Sequence, residues 1–359
     1  MPSVRTARPT NELHFAVVVG INTYHAYKPL NGPRNDARNF RAWLLSPTGG
    51  RVPPSNIKHI EVSHKRFAAL EDARPTRDEI NRALRMVTKM VEERIDRAPL
   101  EWSKTRLYVY LSGHGIAPTA REAALLMANA EPDSSGESIP CTLYLDYFLE
   151  CQPFREIVFF ADCCRTLKNA AVALGPPWDR RRKENGSVVR VLGLATGFGD
   201  LAYEPTEAEE ANPDELRGYF TRALLEGLEG QAADKETGTI DSNSLATFVK
   251  NRVLDLTKHK PVPQQPVLES DPGAPIIFGS ATTPCWHVVI EFPLQFQEKA
   301  ILRDGKLQEI GSHDAATGTW AIDLPPGAYE VRPATQQDGT GWTDKGLFRV
   351  LGEDRRVSL

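Results

Sequence analysis

The 359-residue chain predicts an α/β fold, a mostly parallel β-sheet flanked by helices, followed by a small C-terminal all-β domain of sandwich type. Two observations carry that expectation. From residue 15 to about 278, short β-branched apolar runs alternate with amphipathic helical patterns, the signature of a parallel sheet covered on both faces. After Ser280 the helical period disappears, and only short strand-like runs separated by turn residues remain.

Phe15-Ala16-Val17-Val18-Val19, closed by Gly20, reads as the first and central strand. Ala37, Phe40 and Leu44 recur at helical spacing and predict a helix over 34–45. Residues 56–62 supply a second strand. Thr76-Arg77-Asp78-Glu79 is a capping box, opening a helix with Ile80, Leu84, Val87 and Val91 on one face. Strands follow at 106–111 and 123–128, then a helix around 143–149 and a buried strand at 157–161. Residues 175–186 are rich in Pro, Gly and charge without apolar period, which predicts a surface loop. A strand at 188–195, helices over 216–228 and from Asp241 to about 257, and a last sheet strand at 275–278 complete this part. Beyond it, strands are expected at 286–290, 299–303, 319–324, 329–332 and 347–350, with Pro325-Pro326-Gly327 the clearest turn.

Composition excludes several classes. The chain is 41% hydrophobic and 25% charged, as an ordinary globular protein is. No run approaches the ~20 apolar residues that span a bilayer, and residues 1–10 lack the apolar core of a secretory signal. A net charge of −4 gives no case for nucleic-acid binding. Five cysteines without a C-x-x-C pair argue against a disulfide framework and a thiolate zinc site. A cytoplasmic protein with no nucleic-acid or membrane partner is the expectation. The charges cluster locally: Arg180-Arg181-Arg182-Lys183 is a basic run, and Glu204, Glu207, Glu209, Glu210, Asp214 and Glu215 crowd a later loop.

Two strand ends concentrate the chemistry. The 157–161 run delivers Asp162-Cys163-Cys164-Arg165, and the 106–111 run delivers Ser112-Gly113-His114-Gly115. A thiol attacks a carbonyl only as thiolate, and at a pKa near ~8.5 it needs a base. His114 paired with Cys164 is the minimal equipment for acyl transfer. Gly115 lets backbone approach a substrate, so its N–H and that of Cys164 are candidates for an oxyanion hole. Alternation turns Cys163 to the opposite face, toward the core.

These two motifs in this order resemble the caspase and metacaspase superfamily of cysteine peptidases (clan CD, family C14), and the fifty-residue separation is that of the caspase arrangement. Gly20-Ile21-Asn22 with Asn35-Asp36-Ala37-Arg38-Asn39, the segment 197–204, and Gly218-Tyr219-Phe220-Thr221 strengthen the resemblance, which covers nearly all of 15–279. It implies an N-terminal arm over 1–12 and a peptidase domain over 13–280. That domain would divide into a large-subunit-like part (13–174), a linker (175–187) and a small-subunit-like part (188–280). Residues 281–359 would form an accessory β-sandwich of the kind seen in bacterial caspase-like proteins.

The resemblance also implies a specificity pocket from Asp36, Asp162 and Ser112. Two carboxylates in a closed pocket favour a cation, and arginine's planar fork over lysine. The alternatives are an Asp36 that serves the helix dipole and an Asp162 that is a structural strand-end acid. Asp162 stands where animal caspases carry Gln, which argues against cleavage after aspartate. Arg180, Arg181 and Arg182 lie where caspases divide into subunits and are candidate self-cleavage sites. No cofactor is expected, with calcium at Asp133 and Glu137 an open possibility. The expected partners are protein substrates and an upstream activating protease or regulatory protein, in bacterial cell death or antiviral defence. The rival readings are a catalytically silent adaptor and an Asp-specific caspase.

Overall fold

The computed structural model describes residues 10–359 apart from 63–65, 134–135, 169–173, 179–185, 206–208, 211, 213–215, 235–236, 272, 281–285, 294–296, 326, 335–345 and 351–354. The chain divides into two compact units, residues 1–280 and 281–359.

In the first unit β1 (His14–Gly20) leads to α1 (Pro33–Leu45), β2 (Ile57–Glu61), α2 (Arg77–Arg97) and β3 (Arg106–Ser112). Three short strands, β4 (Gly115–Ala117), β5 (Ala124–Leu126) and β6 (Ser138–Pro140), precede α3 (Cys141–Cys151) and β7 (Glu156–Asp162). Then come β8 (Thr166–Leu167), β9 (Val189–Leu194), α4 (Tyr219–Glu226), β10 (Thr239–Asp241), α5 (Ser242–Thr257), β11 (Val267–Ser270) and β12 (Ile277–Ser280). The main sheet runs β11-β9-β7-β3-β1-β2. All its pairings are parallel except that of β11 with β9, so the fold is the expected α/β one, a mixed sheet flanked by helices.

Strand alternation decides what each face holds. Phe15, Val17, Val19, Leu107, Val109, Leu111, Ile157, Phe159 and Ala161 join Ile80, Leu84, Val87 and Val91 of α2 and Tyr144 and Phe148 of α3 in one core. The interleaved residues face α1 and α4: Phe40 stacks on Tyr110 at 4.5 Å and meets Phe160 edge-on at 6.1 Å. Tyr110, Ser112, Phe160 and Asp162 therefore share one side of the sheet, the side on which α1 carries Asp36. The capping box at Thr76 and Glu79 forms as the spacing predicts.

One expectation needs correcting. The apolar run at 275–278 is not the last strand of the main sheet; β12 pairs with β10 in a separate two-stranded ribbon. The edge is β11, whose Val-Leu-Glu-Ser is too short and polar to announce itself. Ile276 and Phe278 are apolar because they are buried beside α5 and Arg106, whose guanidinium lies 5.7 Å from the Phe278 ring.

The second unit comprises β13 (Trp286–Glu291), β14 (Lys299–Asp304), β15 (Glu309–Asp314), β16 (Thr319–Leu324), β17 (Gly327–Pro333), β18 (Leu347–Val350) and β19 (Arg355–Ser358). They form two sheets, β16-β13-β19 and β15-β14-β17-β18. The core holds alternate residues: Val288 and Ile290, Ala300 and Leu302, Tyr329 and Val331, Phe348 and Val350. The strands β15 and β19 were not expected, since their composition is polar. Among the described residues no helix is long and apolar enough to cross a membrane.

Candidate active site

Ser112 and Asp162 are register partners at the ends of β3 and β7, and Gly113 N–H donates to the Asp162 carbonyl at 3.1 Å. The next residues, His114 and Cys164, therefore leave two adjacent strands at the same level. Gly115 lies so close to the Cys segment that a Cβ there would stand 2.4 Å from the Cys164 carbonyl oxygen and 2.6 Å from Cys163 Sγ. Cys163 is 2% exposed and belongs to the core, while Cys164 is half-buried. Among the described residues no cysteine is in a disulfide.

Groups that the sequence did not single out orient His114. Its Nε2 lies 2.8 Å from the Lys28 carbonyl oxygen, which only accepts, so Nε2 carries the proton and Nδ1 holds the lone pair. Its backbone N–H donates to Tyr24 Oη at 2.7 Å, and the Tyr24 and Tyr27 rings lie 4.8 and 5.7 Å from the imidazole. Burial pushes the imidazole pKa down, opposed by the Lys28 hydrogen bond and the Glu204 charge.

Residues 195–204 wrap the thiol. Arg165 N–H donates to the Asp200 carbonyl at 3.1 Å and Gly199 N–H to the Arg165 carbonyl at 2.9 Å. Ala202 N–H then points at Cys164 Sγ at 3.3 Å, and the thiol faces the Ala202 carbonyl at 3.6 Å. Burial raises the thiol pKa, as do the charges of Asp162 and Glu204, while Ala202 N–H lowers it. Both shifts favour a neutral thiol beside a neutral imidazole at rest, so proton transfer belongs to the reaction itself.

The structure places Ser112 in contact with Asp36, with Asp162 and Glu204 near enough to act on the Asp36 charge. Asp36 is 1% and Asp162 6% exposed. Asp36 accepts from Ser112 Oγ at 2.9 Å and from Gly218 N–H at 2.9 Å. Asp162 Oδ2 accepts from the Thr221 hydroxyl at 2.6 Å and its N–H at 3.1 Å, a helix N-terminal donor of α4. Glu204 accepts from Gly32 N–H at 2.7 Å and from Asn31 N–H at 3.2 Å, at the start of α1. The structural alternatives are thus part of the picture: Asp36 sits in the first turn of α1, and Asp162 accepts from the Thr221 N–H in the first turn of α4. Burial first, then the Asp162 charge, holds Asp36 well above the usual carboxylate range. Burial, with Glu204 adding to it, pushes Asp162 up to about 6.

Arg180, Arg181 and Arg182 lie outside the described residues. Among the described residues no group of three or more His, Cys, Asp or Glu is arranged to hold a metal ion.

A thiol and an imidazole at neighbouring carboxyl ends of a parallel sheet, with two buried carboxylates at the same level, are the kind of arrangement a cysteine peptidase uses. The chain matches the caspase domain model over residues 13–274 and belongs to that family, the C14 peptidases. Among solved structures it is similar to caspase-1 from Spodoptera frugiperda, at 17% identity, covering 79% of this chain and 98% of that one with a TM-score of 0.44. It is also similar to pro-sf-caspase-1, at 15% identity over 79% and 98% of the two chains with a TM-score of 0.43. No curated protein matches the chain.

Proposed function

We infer that the chain is a cysteine endopeptidase that hydrolyses peptide bonds after arginine and, less well, lysine. The observation that carries the reading is the pair Asp36 and Asp162, 1% and 6% exposed and held by Ser112, Gly218 and Thr221, with Asp162 two residues before Cys164 at the end of β7. Carboxylates so buried are costly to ionise alone, and a guanidinium offsets that cost through charge-assisted hydrogen bonds of about 1.5–3 kcal/mol each. An aspartate side chain would meet like charge.

In the proposed reaction His114 Nδ1 takes the thiol proton as Cys164 Sγ attacks the scissile carbonyl. The N–H groups of Gly115 and Cys164 hold the oxyanion. Collapse expels the amine, which takes the proton from His114, and leaves a thioester. Water, deprotonated by His114, then hydrolyses it and restores the thiol. The reaction needs no cofactor. Self-processing at Arg180, Arg181 or Arg182, activation by an upstream protease, and a cytoplasmic role in bacterial cell death or antiviral defence belong to the same proposal. They rest on the family resemblance and the basic run alone.

The test is a panel of fluorogenic peptides differing only in the residue before the bond, with wild type and Cys164→Ala compared with and without calcium. Hydrolysis after Arg, weaker after Lys, absent after Asp and lost in Cys164→Ala is expected. Preference for Asp, or activity that survives Cys164→Ala, would overturn the reading.

A further inference from the structure

Beneath the two pocket carboxylates lies a tyrosine that the reaction itself does not require. Tyr110, on β3 two residues before Ser112, is fully buried, and its ring is packed face to face on Phe40. Its hydroxyl bonds the Thr221 hydroxyl. That hydroxyl is the one that donates to Asp162, while Ser112 donates to Asp36. Tyr110 and Thr221 thus form a two-hydroxyl relay that ends on Asp162 of β7.

The proton count fixes the direction of this relay. Each carboxylate, when ionised, only accepts, so the protons of Ser112 and Thr221 are committed to the acids. The Tyr110 proton is then the one left for the Thr221 oxygen, and a hydroxyl that accepts becomes a better donor. Nothing else is demanded of Tyr110 in that interior, where phenylalanine would fill the same space against Phe40.

Resting on the arginine-pocket reading, the geometry points to Tyr110 as a positioning residue for specificity: its hydroxyl keeps the Thr221 proton on Asp162, so that this acid presents negative charge beside Asp36 to a cationic side chain. The charged and titratable groups that face the pair are the two acids themselves, Glu204 from the loop after β9, the Cys164 thiol, and Tyr110. Without the tyrosine hydroxyl the pair holds protons to higher pH, and a cation must displace them.

The experiment measures kcat and KM of the full chain for arginine and lysine peptides from pH 5 to 8, for wild type and Tyr110→Phe. Removal of one hydrogen bond should raise KM about two- to tenfold with kcat little changed, and move the acid limb of kcat/KM up by about half to one pH unit. Labelling of Cys164 by iodoacetamide at neutral pH should keep its rate. Thr221→Val should shift the acid limb in the same direction, and Thr221→Ser, which retains a hydroxyl, should restore it. Adding Tyr110→Phe to Thr221→Val should shift the acid limb no further, since the tyrosine acts through that hydroxyl, and an additive shift would overturn the relay. A wild type that cleaves after arginine while Tyr110→Phe keeps its acid limb would overturn this role and leave the pocket standing. A wild type indifferent to arginine would overturn both.

Discussion

Gly218 lies against Asp162 so closely that a Cβ on it would stand 2.3 Å from the carboxylate oxygen Oδ2. Its φ of −54° and ψ of 141° suit any residue, so glycine is required here for space and not for backbone freedom. Its N–H also donates to Asp36, which makes this one residue the joint between both buried acids and the helix α4. Gly218→Ala must displace the carboxylate that accepts from the first turn of α4. The expected result is at least a tenfold fall in kcat/KM for arginine peptides, carried mainly by KM, while Cys164 still reacts with a small alkylating agent. Steady-state kinetics and labelling rates measured side by side check it.

The adjacent cysteines divide cleanly between chemistry and packing. Cys163 is 2% exposed, and burial raises its pKa far out of the reactive range, as an inert core thiol requires. Cys164→Ala should abolish hydrolysis. Cys163→Ala should retain it and lose about 1–2 kcal/mol of stability through the small cavity left beside Gly115. Denaturant unfolding together with peptide hydrolysis distinguishes the two; activity lost in Cys163→Ala with normal stability would reverse the assignment.

Much of this site was legible in the sequence because the residues that form it sit at strand ends with strong periodic signals. β-Strand alternation puts Ser112 and Asp162 on the α1 side and turns Cys163 inward. What was not legible came from long-range hydrogen bonding. Tyr24 and Lys28, which hold His114, lie in a loop without period, about ninety positions upstream. Glu204 was visible only as one acid among six in a charged loop, and nothing local says which of them turns toward α1. The strand β11 was missed because an edge strand of four residues leaves almost no pattern, whereas the apolar run at 275–278 carries one for packing reasons alone.

Gln264 is the clasp of the loop that surrounds the thiol. Its side chain is 2% exposed, and its amide donates to the Ala195 carbonyl at 2.8 Å and accepts from Tyr203 N–H at 2.9 Å. The two ends of the 195–203 segment are thereby tied by one buried group, with Ala202 and Glu204 on either side of Tyr203. Gln264→Leu leaves both backbone groups without partners in the interior, at a cost of about 1–3 kcal/mol for each. A fall in melting temperature accompanied by a raised KM for arginine peptides is expected. The KM effect is the decisive readout, since destabilisation elsewhere in the sheet would leave the KM of the folded fraction unchanged.

The buried acid pair also ties stability to pH, with a definite sign. Burial raises both carboxyls above their ordinary range, Asp162 to about 6, whereas in the unfolded chain they titrate near ~3.9. The folded state therefore holds protons that the unfolded state has released. The pair's contribution to stability is fully present below the unfolded value and is lost as pH rises through the folded values, over the window from about 4 to beyond 6. For Asp162 alone the loss is on the order of 3 kcal/mol. Asp162→Asn has no such titration, so its unfolding free energy should fall less than that of wild type between pH 4 and 7 by roughly that amount. A guanidinium ligand such as agmatine binds the deprotonated pair, and by mass action it should raise the melting temperature of wild type more at pH 7 than at pH 5. In Asp162→Asn that pH dependence should largely vanish. Differential scanning fluorimetry across the two pH values, with and without agmatine, reads both effects, and an equal thermal shift at pH 5 and 7 in wild type would show that the ligand does not meet these carboxylates.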